Sequence, residues 1–246
     1  FANVCARAGL CFQIRCWISK GVDENGNVVE ATQDIRCVVL TGAGEKAFCA
    51  GADMKDDTGK SGVEYWQGIS DSFSGLSMRR SLKTPVIARV NGLALGGGLE
   101  MVLGCDIVIA ADTARFALPE AKVGRVPLDG GIVMLQRLIP RNIAVGMMMT
   151  GRMMLATEMA HYGLVNAVVP MAQLDAEVEA WVADILAAAP LSLRAIKAIA
   201  RETAEMSIHD AFTRQTPELI DALNSEDANE GVMAFREKRL PIWKGR

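Results

Sequence analysis

The sequence has little of what metal enzymes, redox domains and nucleic-acid binders are built from. Only two histidines occur, His161 and His209, far apart in the chain, which argues against a multi-histidine metal site. None of the six cysteines (Cys5, Cys11, Cys16, Cys37, Cys49 and Cys105) forms a Cys-x-x-Cys pair, so zinc-ribbon and thioredoxin readings fail. In a chain this long they read as reduced, packed thiols of a cytosol-like compartment, not as a disulfide frame. Aromatic residues make up 5%, too few for a stacking surface to be the main function. Lys and Arg (26) do not exceed Asp and Glu (29), so no basic surplus points to nucleic acid. No apolar run approaches the ~18 residues of a membrane span. The first 22 residues carry Arg7, Arg15 and Lys20 but no acid. Such a start fits the remnant of an organelle transit peptide; its lack of serine, apart from Ser19, favours a truncated or unusual domain edge. A cytoplasmic location is expected, with the mitochondrial matrix as the alternative.

What is present is a folded globular chain. Its 246 residues are 50% hydrophobic and 22% charged, enough for a sizeable core. Cys37 to Leu40 is a short apolar, β-rich run ended by Gly42, and Val86 to Val90 and Ile107 to Ala110 are two more. Helical spacing is expected from Val63 to Leu82, from Leu99 to Leu103, after Gly131, and over most of Asp175 to Phe235. Phe116 to Gly131, broken by Pro119, Gly124 and Pro127, reads as an irregular loop. Leu164 to Val169 is a further β-rich run. Alternating strands and helices give an α/β class with a helical C-terminal third.

Gly42-Ala43-Gly44-Glu45-Lys46-Ala47 matches a dinucleotide-binding glycine motif directly after a strand, with Glu64 twenty residues past Gly44. Two features weigh against that reading. The motif does not open a helix, and Glu64 sits at a helix start rather than at the end of a second strand.

Two small-residue loops suggest different chemistry. Ala50-Gly51-Ala52-Asp53 follows the first strand, and Gly96-Gly97-Gly98 follows the second, just before a helix. Small residues allow a ligand close to the backbone, and a glycine-rich helix start exposes unpaired N–H groups. Two converging N–H donors form an oxyanion hole. Glu100 lies in the first turn of an otherwise apolar helix, where burial of a carboxylate is costly unless it is paired or protonated. Glu120 follows Pro119 in the irregular loop. Each acid alone reads as a helix-start acid; beside an oxyanion hole the two can serve as general base and general acid.

Three runs carry a resemblance. They are Ala47-Phe48-Cys49-Ala50-Gly51-Ala52-Asp53-Met54-Lys55; Asn91-Gly92-Leu93-Ala94-Leu95-Gly96-Gly97-Gly98-Leu99-Glu100; and Phe116-Ala117-Leu118-Pro119-Glu120-Ala121-Lys122-Val123-Gly124. With Thr150-Gly151-Arg152 and Gly163-Leu164-Val165-Asn166, they resemble the signatures of the crotonase (enoyl-CoA hydratase/isomerase) family from about Ile35 onward. Ala117 to Gly131 and the tail from Ser225 are most similar to its carnitinyl-CoA (crotonobetainyl-CoA) dehydratase subgroup.

The resemblance implies a crotonase-like ββα spiral over residues 1–170, atypical over 1–34, and a helical trimerisation region over 171–246. It implies a homotrimer or a dimer of trimers acting on an acyl-CoA thioester, with coenzyme A as part of the substrate and neither metal nor separate cofactor. The N–H groups of Ala52 and Gly97 would hold the thioester oxygen, and Glu100 and Glu120 would be the catalytic acids. Ala50, Ala52, Asp53, Met54 and Lys55 would line the CoA path. Phe235 and Lys238 would reach the adenine end, and Asp129 would meet a polar acyl group. The family's N-terminal hairpin is not recognised in residues 1–34. Water addition or removal is the expected reaction; double-bond isomerisation and a non-catalytic thioester-binding role are the rivals.

Overall fold

A computed structural model describes residues 2–6, 10–18, 35–52, 61–68 and 76–246. Two sheets organise it. The larger contains β1 (Ala2–Ala6), β2 (Leu10–Ile18), β3 (Ile35–Gly42), β5 (Val86–Val90), β7 (Ile107–Ala111) and β10 (Ala167–Val169), in the order β1-β2-β3-β5-β7-β10. β5 and β7 run parallel with Ile87 opposite Ile107, and β7 and β10 run parallel with Ala167 opposite Ile109. The smaller contains β4 (Ala47–Cys49), β6 (Leu93–Leu95), β8 (Arg115–Ala117) and β9 (Met154–Leu155), in that order. Each of β3, β5 and β7 turns a corner into a short strand of the other sheet, and a helical segment follows. The ββα unit implied by the sequence therefore recurs along the chain.

Polar side chains fix the corners. Asn91 is fully buried; its Nδ2 donates to the carbonyls of Gly44 (2.7 Å) and Ala47 (3.0 Å), and its Oδ1 accepts from the Gly42 N–H (3.0 Å). A Cβ on Gly92 would lie 2.4 Å from the Lys46 carbonyl oxygen, so only glycine fits beside it. The Asn91-Gly92 pair thus ties the β3–β4 corner to the β5–β6 corner, satisfying backbone groups that the sheet break would strand. Asp106 does the same for Val86, whose N–H it accepts at 2.8 Å, and Asn166 for Val108, also at 2.8 Å.

The described residues divide into two compact units, one drawn from Phe1–Arg15, Val39–Arg79 and Val86–Glu179, the other from Cys16–Val38, Arg80–Pro85 and Ala180–Arg246. The first has a core that includes Phe48, Leu99, Met101, Phe116, Leu118, Leu135 and Met159. Burying each such side chain contributes about 1.5–3 kcal/mol. Its helices are α1 (Gly62–Gln67), α2 (Gly97–Leu103), α3 (Gly131–Leu138), α4 (Arg141–Thr150) and α5 (Ala156–His161). α6 (Leu174–Ala187) begins in this unit and ends in the second.

The second unit holds α7 (Pro190–Thr203), α8 (Ile208–Thr213), α9 (Pro217–Asn224) and α10 (Glu226–Glu237). Ser207, Thr216 and Ser225 cap the last three, each hydroxyl accepting a first-turn N–H. The tail folds back on α10, where Asp227 accepts the N–H groups of Lys244 (2.7 Å) and Gly245 (2.8 Å). Among the described residues no helix is long and apolar enough to cross a membrane.

Three sequence expectations are corrected. The helix expected over Val63 to Leu82 does not run to its end: α1 closes at Gly68 and Leu76 to Met78 is a turn, while 69–75 lie outside the described residues. That turn is set by tertiary packing: Gly104 comes so close that a Cβ there would lie 2.6 Å from Ser77 Cα. Phe116 to Gly131 is not wholly irregular, since Phe116 and Ala117 belong to β8 and Glu120–Val123 is a 3₁₀ helix. The hairpin not recognised at the N-terminus is present, with β1 antiparallel to β2 and Ala6 opposite Leu10. Its sequence signal is the alternation Leu10, Phe12, Ile14, Cys16, Ile18, a period of two.

Candidate active site

The two small-residue loops come together in the first unit. Gly96 takes a positive φ of 55°, donates its N–H to the Ala117 carbonyl (2.9 Å) and starts α2 without a side-chain cap. The first N–H groups of α2 therefore have no partner within the helix. Gly51, at φ 92°, lies so near that a Cβ on it would sit 3.5 Å from the Gly97 nitrogen and 3.2 Å from the Leu95 carbonyl oxygen. Ala52, the next residue, is exposed. Gly98 makes this approach possible, because a Cβ there would lie 2.0 Å from the Cys49 carbonyl oxygen. Gly98→Ala is expected to destabilise the fold by roughly 1–3 kcal/mol, read as a lower Tm in thermal denaturation. An unchanged Tm would mean that β4 and α2 tolerate separation.

Both glutamates flank this junction. Glu100, one helical turn beyond Gly97, is 2% exposed, and its Oε1 accepts the Gly131 N–H at 2.8 Å. Burial pushes its carboxyl up to about 8; the charges of Asp129 and Glu120 add to the rise, and the backbone amides of Gly131 and Asp129 oppose it. Glu120 begins the 3₁₀ helix after Pro119. Its Oε1 lies where a Cβ on Gly96 would come within 2.9 Å of it, which places this carboxyl at the start of α2. Its Oε2 is buried and has no hydrogen-bond partner among the described residues. Burial, followed by the charge of Asp129, raises the Glu120 carboxyl as well. Two acids with raised proton affinity, one with an oxygen left over for a ligand, stand beside helix-start amides that have no partner within the helix. Such an arrangement can move protons at carbon next to a polarised carbonyl.

Asp129 completes the cluster. It is 8% exposed, and its Oδ2 accepts the hydroxyl of Tyr65 at 2.8 Å. Burial and the Asp129 bond raise the Tyr65 phenol above its ordinary value. The sequence does not single out Tyr65. Its position as the fourth residue of a capped helix carries no signal, since its partner lies 64 residues away.

The remaining candidates fall elsewhere. Ala50 is exposed in the same loop as Ala52, whereas Asp53, Met54 and Lys55 lie outside the described residues. Phe235, 85% exposed, and Lys238, the left-handed cap of α10, belong to the second unit. That unit also has a cavity of about 240 Å³ bordered by Lys83, Arg194, Glu218 and Asp221, where Lys83 and Glu218 are already paired at 3.1 Å. No catalytic candidate borders it. The glycine motif Gly42 to Ala47 leads into β4, not a helix, and Glu64 is engaged in a capping box with Ser61. A dinucleotide site there has no structural basis.

Residues 23–246 match the family model described as Enoyl-CoA hydratase/isomerase. The carnitinyl-CoA dehydratase of Shigella flexneri is 43% identical over 216 residues, 86% of this chain and 82% of that protein. The carnitinyl-CoA dehydratase of Salmonella enteritidis is 42% identical over 217 residues, covering 87% of this chain and 83% of that protein. Among solved structures, an enoyl-CoA hydratase from Bacillus anthracis superposes with a TM-score of 0.81 at 36% identity, over 89% of this chain and 84% of that one. One from Mycobacterium tuberculosis superposes with a TM-score of 0.78 at 32% identity, with the same coverage.

Proposed function

The chain belongs to the enoyl-CoA hydratase/isomerase family, and from that premise we propose how its own residues add or remove water across the α,β bond of an enoyl-CoA thioester. The family and the names of its relatives make it an enzyme of the hydratase/dehydratase type. In the proposed reaction the thioester oxygen accepts the N–H groups of Ala52 and Gly97. Glu100 takes a proton from water as the oxygen bonds to the β carbon, and the π electrons move through the α carbon onto the thioester oxygen. The enolate then collapses as Glu120 gives its proton to the α carbon. Dehydration runs the same steps backward. Coenzyme A enters as part of the substrate, and the thioester together with the two amides supplies the charge stabilisation.

One observation carries this reading: two buried carboxyls with raised proton affinity meet at the start of α2. Neighbouring like charges resist ionising together, so over a range of pH the pair holds one proton. One carboxylate and one carboxylic acid are what the chemistry requires; because burial favours the proton on Glu100, hydration draws on the form that has Glu100 ionised and Glu120 protonated.

Ala50, Asp53, Met54 and Lys55 are proposed to line the CoA path, with Phe235 and Lys238 at its adenine end. Assembly as a trimer or dimer of trimers is supported by the exposed Ile208, Phe212 and Leu240 of the second unit. The test is a panel of 2-enoyl-CoA thioesters, crotonobetainyl-CoA included, followed by loss of the conjugated absorbance and analysis of the product. Gain of water at the β carbon is expected for at least one member. Double-bond migration without water would make the protein an isomerase, and binding without turnover would make it a non-catalytic paralogue.

A further inference from the structure

Building on that reading of the site, we propose that Asp129 is a positioning residue for Glu100, pinned from the far side by Tyr65 of α1. A carboxylate this buried requires partners. The Tyr65 hydroxyl donates to Oδ2 at 2.8 Å, and the Ser77 hydroxyl donates to the Asp129 carbonyl. Two residues later the Gly131 N–H donates to Glu100 Oε1 at 2.8 Å. The turn between them has little slack. Gly130 has φ 114°, and a Cβ on it would lie 3.2 Å from Ser77 Oγ; a Cβ on Gly131 would lie 2.9 Å from Glu100 Oε1. Tyr65 and Ser77 thus hold one side of the Asp129–Gly131 turn, and Glu100 lies against the other.

This arrangement makes α1 part of the wall of the site. It gives Asp129 a second effect through its charge, which faces Glu100 on α2, Glu120 on the 3₁₀ helix and the Tyr65 phenol. Oδ2 of Asp129 is taken by the protein's own tyrosine.

The experiment compares the full chain with Asp129→Asn and Tyr65→Phe. Asparagine keeps the size and an acceptor for Tyr65 but removes the charge. In Asp129→Asn, kcat is expected to fall about tenfold while KM changes by less than roughly threefold. The midpoint of the Glu100 carboxyl, followed by ¹³C NMR of the free protein and assigned by its loss in Glu100→Gln, should move below its starting value near 8. In Tyr65→Phe the Gly131 amide should exchange its proton about tenfold faster as the turn loosens.

A merely structural role would lower Tm and leave the Glu100 midpoint in place. Unchanged midpoint and unchanged exchange in folded variants would overturn the proposal. If the unaltered protein turns over no thioester of the panel, the catalytic reading has failed. The NMR midpoint and the Gly131 exchange still decide whether Asp129 and Tyr65 control Glu100. If Asp129→Asn does not fold, the exchange measurement in Tyr65→Phe decides alone.

Discussion

Glu120→Gln is expected to lower kcat for hydration about 10³-fold while leaving the affinity for an enoyl-CoA thioester nearly intact. Glutamine matches the shape of the acid but cannot deliver a proton to carbon. The effect is large because the position has no stand-in. Among the described residues Glu120 Oε2 is buried without a partner, and the neighbouring Glu100 is already bonded to Gly131. Binding should survive because the proposed oxygen site rests on the backbone of Ala52 and Gly97, which the substitution does not touch. Steady-state turnover together with equilibrium binding of the thioester separates the two effects. Near-normal hydration by this variant would remove Glu120 from the mechanism.

Much of the site could be read before any coordinates because it is built from short contiguous signals. Gly96-Gly97-Gly98 followed by Glu100 encodes an uncapped helix start and an acid one turn along, and α2 has that form. Pro119-Glu120 likewise encodes a helix-start acid. What could not be read is what depends on partners distant in sequence. The turn that packs against Glu100 comes from Gly131, 31 residues away. The Tyr65–Asp129 bond joins an amphipathic fragment to a turn 64 residues on.

The fold shows the same division. β3, β5 and β7 were legible as apolar runs, whereas β4, β6, β8 and β9, two or three residues each, are too short to show a period. Asn91-Gly92 is a dipeptide that commonly marks a turn. Its real role, holding the carbonyls of Gly44 and Ala47, is a tertiary one.

Glu100→Gln is expected to separate stability from activity. Turnover should fall by about 10²–10⁴-fold, because the group assigned to deprotonate water is gone. Stability should move the other way, in a pH-dependent manner. The carboxyl is raised from its ordinary 4.5 to about 8 in the folded protein, chiefly by burial. Below the unfolded value it is neutral in both states, and its folded environment carries no charge penalty. As pH rises from about 4.5 to 8 the unfolded chain loses this proton while the folded chain keeps it, so the wild type loses stability across that window. Above it the loss amounts to on the order of 5 kcal/mol. Glutamine carries no charge, and its Oε1 can still accept the Gly131 N–H, so the variant escapes this loss. Thermal unfolding at pH 5 and pH 9 should therefore show a Tm difference that widens in favour of the variant at the higher pH. A constant difference would mean that Glu100 ionises as freely in the folded protein as in the unfolded one. A buried base of this kind is held in the fold at a cost in stability that its chemistry, not its packing, explains.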